Sequence, residues 1–217
     1  MSNEQRYSVN QHLIETLLTW VKTGEIAIPE IQRPFVWDAT QVRDLMDSLY
    51  KGYPVGYIII WKNPDVRLKD GAKSVGRKVL IDGQQRITAL NAAIHGETVM
   101  THDYRRVPVR IAFDPLKERF EVSNAAIVND KTWIPDIGPL IRNEISPLKL
   151  IKEYCNNNLN VDEYKIEDIL LKLSGIRNKQ VGLIELSADL DIETVTEIFI
   201  RINREGVRLR AFCGCRP

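Results

Sequence analysis

The sequence is poor in the residues that build disulfide staples and metal cages. Among 217 residues it has three cysteines, Cys155, Cys213 and Cys215, and three histidines, His12, His95 and His102. Three cysteines cannot form a disulfide framework, and they suit a reducing cytoplasm. The histidines are scattered, with no H-E-x-x-H and no C-x-x-C pair, which argues against a dedicated zinc site. No apolar run approaches the ~20 residues of a membrane span; the longest, Pro54 to Trp61, has strand length. The polar start, Met1 to Arg6, lacks the apolar core of a secretory signal. A surplus of charge is missing too: 30 Lys and Arg face 29 Asp and Glu, for a net charge of +1. That balance excludes a polybasic nucleic-acid glove or an acidic tail as the whole of the function. There is no G-x-x-x-x-G-K-[ST], no G-x-G-x-x-G and no G-x-S-x-G. A nucleotide bound here would not sit in a P-loop or a Rossmann site.

What is present is an ordinary globular composition, 44% hydrophobic and 27% charged. A chain of this length buries roughly 70% of its unfolded surface and needs no staple. Leu13, Ile14, Leu17, Leu18 and Val21 recur at helical spacing, with Ser8 or Asn10 as caps and Gly24 as a stop. Glu25 to Pro29 reads as a short strand. Asp38 with Gln41 three residues later is a capping box opening a helix over Val42, Leu45, Met46 and Leu49. Gly56 to Trp61 and Lys78 to Ile81 read as buried strands, and Gln84 to Ile94 as a helix stopped at Gly96. Val107 to Phe113 and Arg119 to Val122 form a hairpin around Asp114-Pro115. The stretch from 136 to about 175 is helical, with Asn156 to Asn158 as a turn. Val181 to Leu186 is a further strand, and Glu193 to Asn203 a helix that ends before Gly206. Residues 210–217 fit no pattern and read as a truncated or frame-shifted end, or as a solvated basic tail.

Chemistry concentrates in Leu80-Ile81-Asp82-Gly83-Gln84-Gln85-Arg86, where a strand passes through a glycine turn into a helix. Such a turn offers backbone N–H groups to an anion. Arg86 in the first helical turn can hold phosphate bidentately. Asp82 can hold a divalent cation or orient a water, and Gln84 and Gln85 supply amides. The bland alternative is equally open on local physics: Asp82 a helix cap, Gln84 to Arg86 a solvated first turn. In Gln32-Arg33-Pro34-Phe35-Val36-Trp37 the proline holds Arg33 extended. Gln32 and Arg33 are read as functional, Phe35 and Trp37 as core anchors. A third segment, Phe199 to Gly206, offers Arg201 and Asn203, with a basic C-terminal helix turn as the alternative.

Four segments in order, Ile28 to Trp37, Gly56-Tyr57-Ile58, Asp82-Gly83-Gln84-Gln85-Arg86 and the F-x-R-x-N-x-x-G stretch Phe199 to Gly206, resemble one family. It is the N-terminal domain of GmrSD-type modification-dependent restriction endonucleases, within the ParB/sulfiredoxin-like group. The likeness runs from about Ser8 to Leu209, so residues 1–209 are expected to be one domain. It implies an α/β (α+β) fold: a small mixed sheet with flanking helices and a helical insertion at about 136–175. It also implies NTP binding and hydrolysis, of ATP, GTP or another nucleotide, that regulates defence against modified or foreign phage DNA. Carried over by position, Asp82, Gly83, Gln84, Gln85 and Arg86 stand at the phosphates, Asp82 and Arg86 as catalytic residues and Asp82 as the Mg²⁺ ligand. Gln32 and Arg33 face them, and Arg201 and Asn203 approach from the late helix. Complete members often carry a C-terminal His-Asn-His nuclease; no residue set for DNA cleavage is visible here, so a nuclease domain or subunit is an expected partner. Two other readings stay open. One is a DNA-binding module without catalysis, for which Lys69 to Arg110 supplies eight basic residues against four acidic ones. The other is an inert truncated fragment.

Overall fold

A computed structural model describes residues 5–28, 37–62, 78–100, 105–159 and 161–212, with side chains to Ile202. Its centre is a five-stranded mixed sheet in a mixed α/β fold. The strands are β1 (Tyr7–Leu13), β2 (Ile26–Ala27), β3 (Tyr57–Lys62), β4 (Lys78–Asp82) and, from late in the chain, Gln180–Leu186. In space the order is β1, Gln180–Leu186, β3, β4, β2. The late strand runs antiparallel to β1 and parallel to β3, while β4 is antiparallel to β3 and parallel to β2.

Three helices cover one face: α1 (Ile14–Lys22), α2 (Ala39–Lys51) and α3 (Gln84–Leu90). Ile14, Leu17 and Leu18 of α1, Val42, Leu45, Met46 and Leu49 of α2, and Ile87 and Leu90 of α3 join Ile58, Ile60 and Leu80 in the main core. The capping box expected at the start of α2 is formed: the Gln41 amide donates to Asp38 Oδ1 at 2.8 Å and the Asp38 amide to Gln41 Oε1 at 3.0 Å. Gly52 ends that helix in the left-handed region, φ +74°. The helix expected from Gln84 to Ile94 is α-helical only to Leu90, and Asn91–His95 widens into a π turn before Gly96.

Two small ladders follow, β5 (Val99–Met100) with β6 (Arg106–Val107), and β7 (Ile111–Asp114) with β8 (Arg119–Val122). The hairpin around Asp114-Pro115 is therefore present but starts at Ile111. Val107 pairs instead with Val99. Asp114, almost wholly buried, accepts the Leu116 and Lys117 amides and closes the hairpin turn. After α4 (Ala125–Asn129), the helical region expected at about 136–175 holds α5 (Gly138–Ile141), α6 (Pro147–Asn157) and α7 (Glu163–Ser174), and a 3₁₀ turn (Gly175–Asn178) leads into β9 (Gln180–Leu186). The turn expected at Asn156 to Asn158 begins only at Asn158, because α6 includes Asn156 and Asn157.

Two expectations at the ends of the domain are corrected. Ser8 and Asn10 do not cap α1; they lie in β1, and Leu13 precedes the helix without a side-chain cap. Tyr7, Val9 and Leu13 alternate with polar residues, a period of two that pairs with β9 and overrides the cap signal. The last helix, α8 (Ile192–Phe212), does not stop at Gly206 but runs through it. An interior glycine costs a helix about 1 kcal/mol against alanine, which weakens it without ending it. Val195 and Ile198 of α8 pack with Ile59, Trp61, Ile81, Ile184, Leu186 and Leu190 into a second, smaller cluster.

Candidate functional site

The segment singled out by its residue types sits where β4 leaves the sheet. Asp82 is the last residue of β4, Gly83 turns the chain at φ +100°, and Gln84 begins α3. Only glycine fits that turn. A Cβ on Gly83 would stand 2.4 Å from Ile58 Cδ1 and 3.4 Å from Ile58 Cα, in a backbone conformation that side chains resist. Gly83 puts no side-chain acceptor on the first-turn amides, and the helix ladder starts with the Ile87 amide on the Gly83 carbonyl at 3.0 Å. Asp82 is not the cap of α3.

The Asp82 carboxylate turns instead to Arg86, one helical turn on. Arg86 Nη2 donates to Asp82 Oδ2 at 3.0 Å, and Arg86 Nη1 donates to the Val55 carbonyl at 3.0 Å. The guanidinium thereby ties the end of β4 to the loop entering β3. Only 17% of the Arg86 side chain is exposed, against 30% for Asp82. Burial pulls the Arg86 pKa below the ordinary arginine value, and the Asp82 charge opposes that pull. Arginine remains charged throughout any accessible pH. Two of its five N–H groups are committed, so three are without a partner among the described residues.

A second glycine completes the nest. Gly56 has φ +85°, and a Cβ there would stand 2.4 Å from Arg86 Nη1. Gly56 opens the Gly56-Tyr57-Ile58 segment. Its task is to leave room for the guanidinium beside the Val55 carbonyl. The only sequence signal for this was a glycine breaking an apolar run.

The other candidate residues are distributed differently. Gln84 and Gln85 are half-buried on the first turn of α3. Gln32, Arg33 and Phe35 lie outside the described residues, whereas Trp37 packs against the main core as expected. Arg201 is exposed on α8 and pairs with Glu197 one turn back. Asn203 belongs to the same helix, at a position where the side chain is not described. The structure thus brings Asp82, Gly83 and Arg86 together, whereas the described ion pair of Arg201 is with Glu197. No helix of the described residues is long and apolar enough to cross a membrane.

A left-handed glycine turn, a partly buried arginine beside it and the late helix over the opposite sheet face occupy one continuous stretch of family resemblance. Residues 14–212 match the family described as the GmrSD restriction endonuclease, N-terminal domain. The chain belongs to the GmrSD N-terminal domain family. The match takes in every candidate residue and leaves out only β1 among the strands. The chain is also similar, at 24% identity over 93% of its length, to an uncharacterized protein of Methanocaldococcus jannaschii. It spans 40% of that relative's length. The family's setting is that of restriction endonucleases, and the GmrSD domain described here is a mixed-sheet α/β domain with a helical insertion.

Proposed function

We propose that this GmrSD domain binds and hydrolyses an NTP as the regulatory part of a modification-dependent restriction or phage-defence system. In this reading it works in the cytoplasm with a nuclease domain or subunit, and its nucleotide state gates DNA binding. The observation that supports it most is the Gly83 turn with the Arg86 guanidinium held at its foot. A turn of this kind accepts phosphate oxygens on backbone amides, and a partly buried arginine meets them with less loss of hydration than an exposed one.

The Asp82–Arg86 pair gives the reading a physical form. Without ligand, Asp82 is the anion that satisfies Arg86. A phosphate at the turn takes the Arg86 N–H groups that have no partner among the described residues and then competes for Nη2, which releases the Asp82 carboxylate toward the reacting phosphate. Gln84 and Gln85 lie on the first turn of α3, and this reading also assigns Gln32, Arg33, Arg201 and Asn203 to the nucleotide, as the family resemblance implies. Among the described residues no cluster of three or more His, Cys, Asp or Glu forms a cation cage. Mg²⁺ needs none, since it is commonly held by one or two carboxylates together with substrate phosphates, and Asp82 fits that role. Bound there, it would neutralise phosphate charge.

Thermal unfolding with each NTP and Mg²⁺ tests the proposal. A nucleotide at about 100 times its Kd stabilises by roughly 2.7 kcal/mol, enough for a clear shift in Tm. Arg86→Lys keeps the charge but loses the planar fork that spans Asp82, Val55 and a phosphate, so the shift should vanish in a cooperatively folded variant. No shift with any NTP in the wild-type chain would sink the reading.

A further inference from the structure

The two edges of the central sheet are unlike each other. The β2 edge is two residues long, and Pro29 follows two residues after its end. Short strands and prolines are ordinary protections against stray strand pairing. The β1 edge is seven residues long, Tyr-Ser-Val-Asn-Gln-His-Leu, without a proline, a lysine or a carboxylate. Its residues are exposed except for a half-buried His12, whose ring packs on Trp20 with centroids 4.8 Å apart.

The hydrogen bonds show which way the backbone faces. The Ile14 amide donates to the Lys179 carbonyl, and the Ser187 amide donates to the Arg6 carbonyl, at 3.0 Å each. Both bonds come from even-numbered residues of the first strand and its flanks. In an antiparallel ladder the N–H and C=O of one residue point to the same side and alternate along the strand. Ser8, Asn10 and His12 therefore serve β9, and Tyr7, Val9, Gln11 and Leu13 turn their N–H and C=O outward. An edge of this length and polarity is a template for another strand.

We propose that β1 joins two copies of this chain, antiparallel about a two-fold axis at Asn10, into one continuous sheet. That register uses every residue of the strand. It sets Tyr7 opposite Leu13 and Val9 opposite Gln11 of the other copy as hydrogen-bonded pairs, with Asn10 opposite Asn10 between them. On one face Tyr7, Val9 and Leu13, each between 38% and 50% exposed, continue the row that Ile184 and Leu186 begin. On the other face Ser8 meets His12. No like charges oppose each other within the strand. Self-complementarity of this kind selects a second copy over an unrelated strand. The proposal stands apart from the nucleotide reading, since β1 precedes the matched family region.

Sedimentation equilibrium of the full chain at tens of micromolar, with and without two edge variants, tests it. Gln11→Pro removes an outward N–H and none of the β9 bonds, and Val9→Lys sets a charge on the edge. The wild-type chain is expected to be a dimer. Both variants should raise its dissociation constant at least 100-fold while leaving thermal unfolding at low concentration unchanged. A separate measurement reads the register: Asn10→Cys, with Cys155, Cys213 and Cys215 changed to serine, should form a disulfide-linked dimer on mild oxidation. Ser8→Cys in the same background should not. A wild-type monomer, a dimer that survives both edge variants, or an Asn10→Cys chain that fails to cross-link would each overturn the proposal.

Discussion

Gly56 and Arg86 are fitted to each other: a methyl group on Gly56 would stand 2.4 Å from the Arg86 Nη1 that donates to the Val55 carbonyl. The candidate phosphate site is thus held from two directions, by the glycine turn that leaves β4 and by the glycine that leads into β3. Arg86 joins them. A side chain set this way is oriented before any ligand arrives, which reduces the ordering that binding would otherwise require.

That fit makes Gly56→Ala informative beside Gly52→Ala. Both glycines have positive φ, +85° and +74°, but a Cβ on Gly52 would meet nothing within 4 Å. Gly52→Ala should cost about 1 kcal/mol, the strain of the left-handed conformation alone. Gly56→Ala should cost about 2–3 kcal/mol, because Arg86 must also leave Val55 and Asp82. Urea unfolding of the two variants measures the difference, and equal losses would separate Gly56 from Arg86.

Arg86→Ala should be a stability variant as well as a binding one. It strands the Asp82 carboxylate and the Val55 carbonyl and opens a gap under α3. A loss of about 2–3 kcal/mol is expected. Denaturant unfolding checks this, and any loss of ligand binding in Arg86→Ala must be compared with the folded Arg86→Lys chain.

A different pair contributes to the acid side of stability. Tyr50 Oη donates to Glu118 Oε2 at 2.6 Å, and Lys172 lies 3.3 Å from the same oxygen. The Tyr50 hydrogen bond leads the causes that hold the Glu118 carboxyl below its ordinary range, with Lys172 assisting and burial opposing. A carboxyl depressed in the folded state adds stability above its unfolded pKa and loses it as pH falls through the folded value. Tyr50→Phe should therefore lose about 1 kcal/mol at neutral pH and show a shallower decline from about pH 4.5 downward. Urea midpoints measured across that range check both features.

The π turn depends on a third contact. Arg142 Nη1 donates to the Ile94 carbonyl within Asn91–His95, and Gly138 gives it passage, since a Cβ there would lie 2.8 Å from Nη1 and 3.1 Å from the Ala93 carbonyl oxygen. Gly138→Ala should destabilise by about 1–2 kcal/mol. It should also speed amide exchange at His95 and Gly96 more than in α2, which exchange measured by NMR would show.

Local signals in the sequence proved readable where one short stretch decides the structure. The Asp38–Gln41 capping box, the glycine stop at Gly96 and the apolar strands β3 and β4 are of this kind. The misread elements are those where two local signals compete. Ser8 and Asn10 look like caps for the helix that follows, but the alternation of Tyr7, Val9 and Leu13 meets β9, a strand some 170 residues later, and pairing wins. The π turn was not legible because Ile87, Leu90 and Ile94 suit a uniform α-helix equally well. At the site, residue types pointed to the Asp82–Arg86 segment. The i, i+4 spacing that pairs Asp82 with Arg86 was also present, whereas the approach of Val55 and Gly56 depends on the tertiary packing of β3 against β4.

The central claim is that a nucleoside triphosphate binds at the Gly83 turn, and NMR titration of the ¹⁵N-labelled chain with each NTP and Mg²⁺ tests it most directly. The account predicts saturable shifts centred on the Gly83, Gln84 and Gln85 amides and on the Arg86 guanidinium for at least one nucleotide, absent in the folded Arg86→Lys chain. Spectra unchanged by every NTP, or shifts centred elsewhere with the Gly83 to Arg86 signals unmoved, would contradict it.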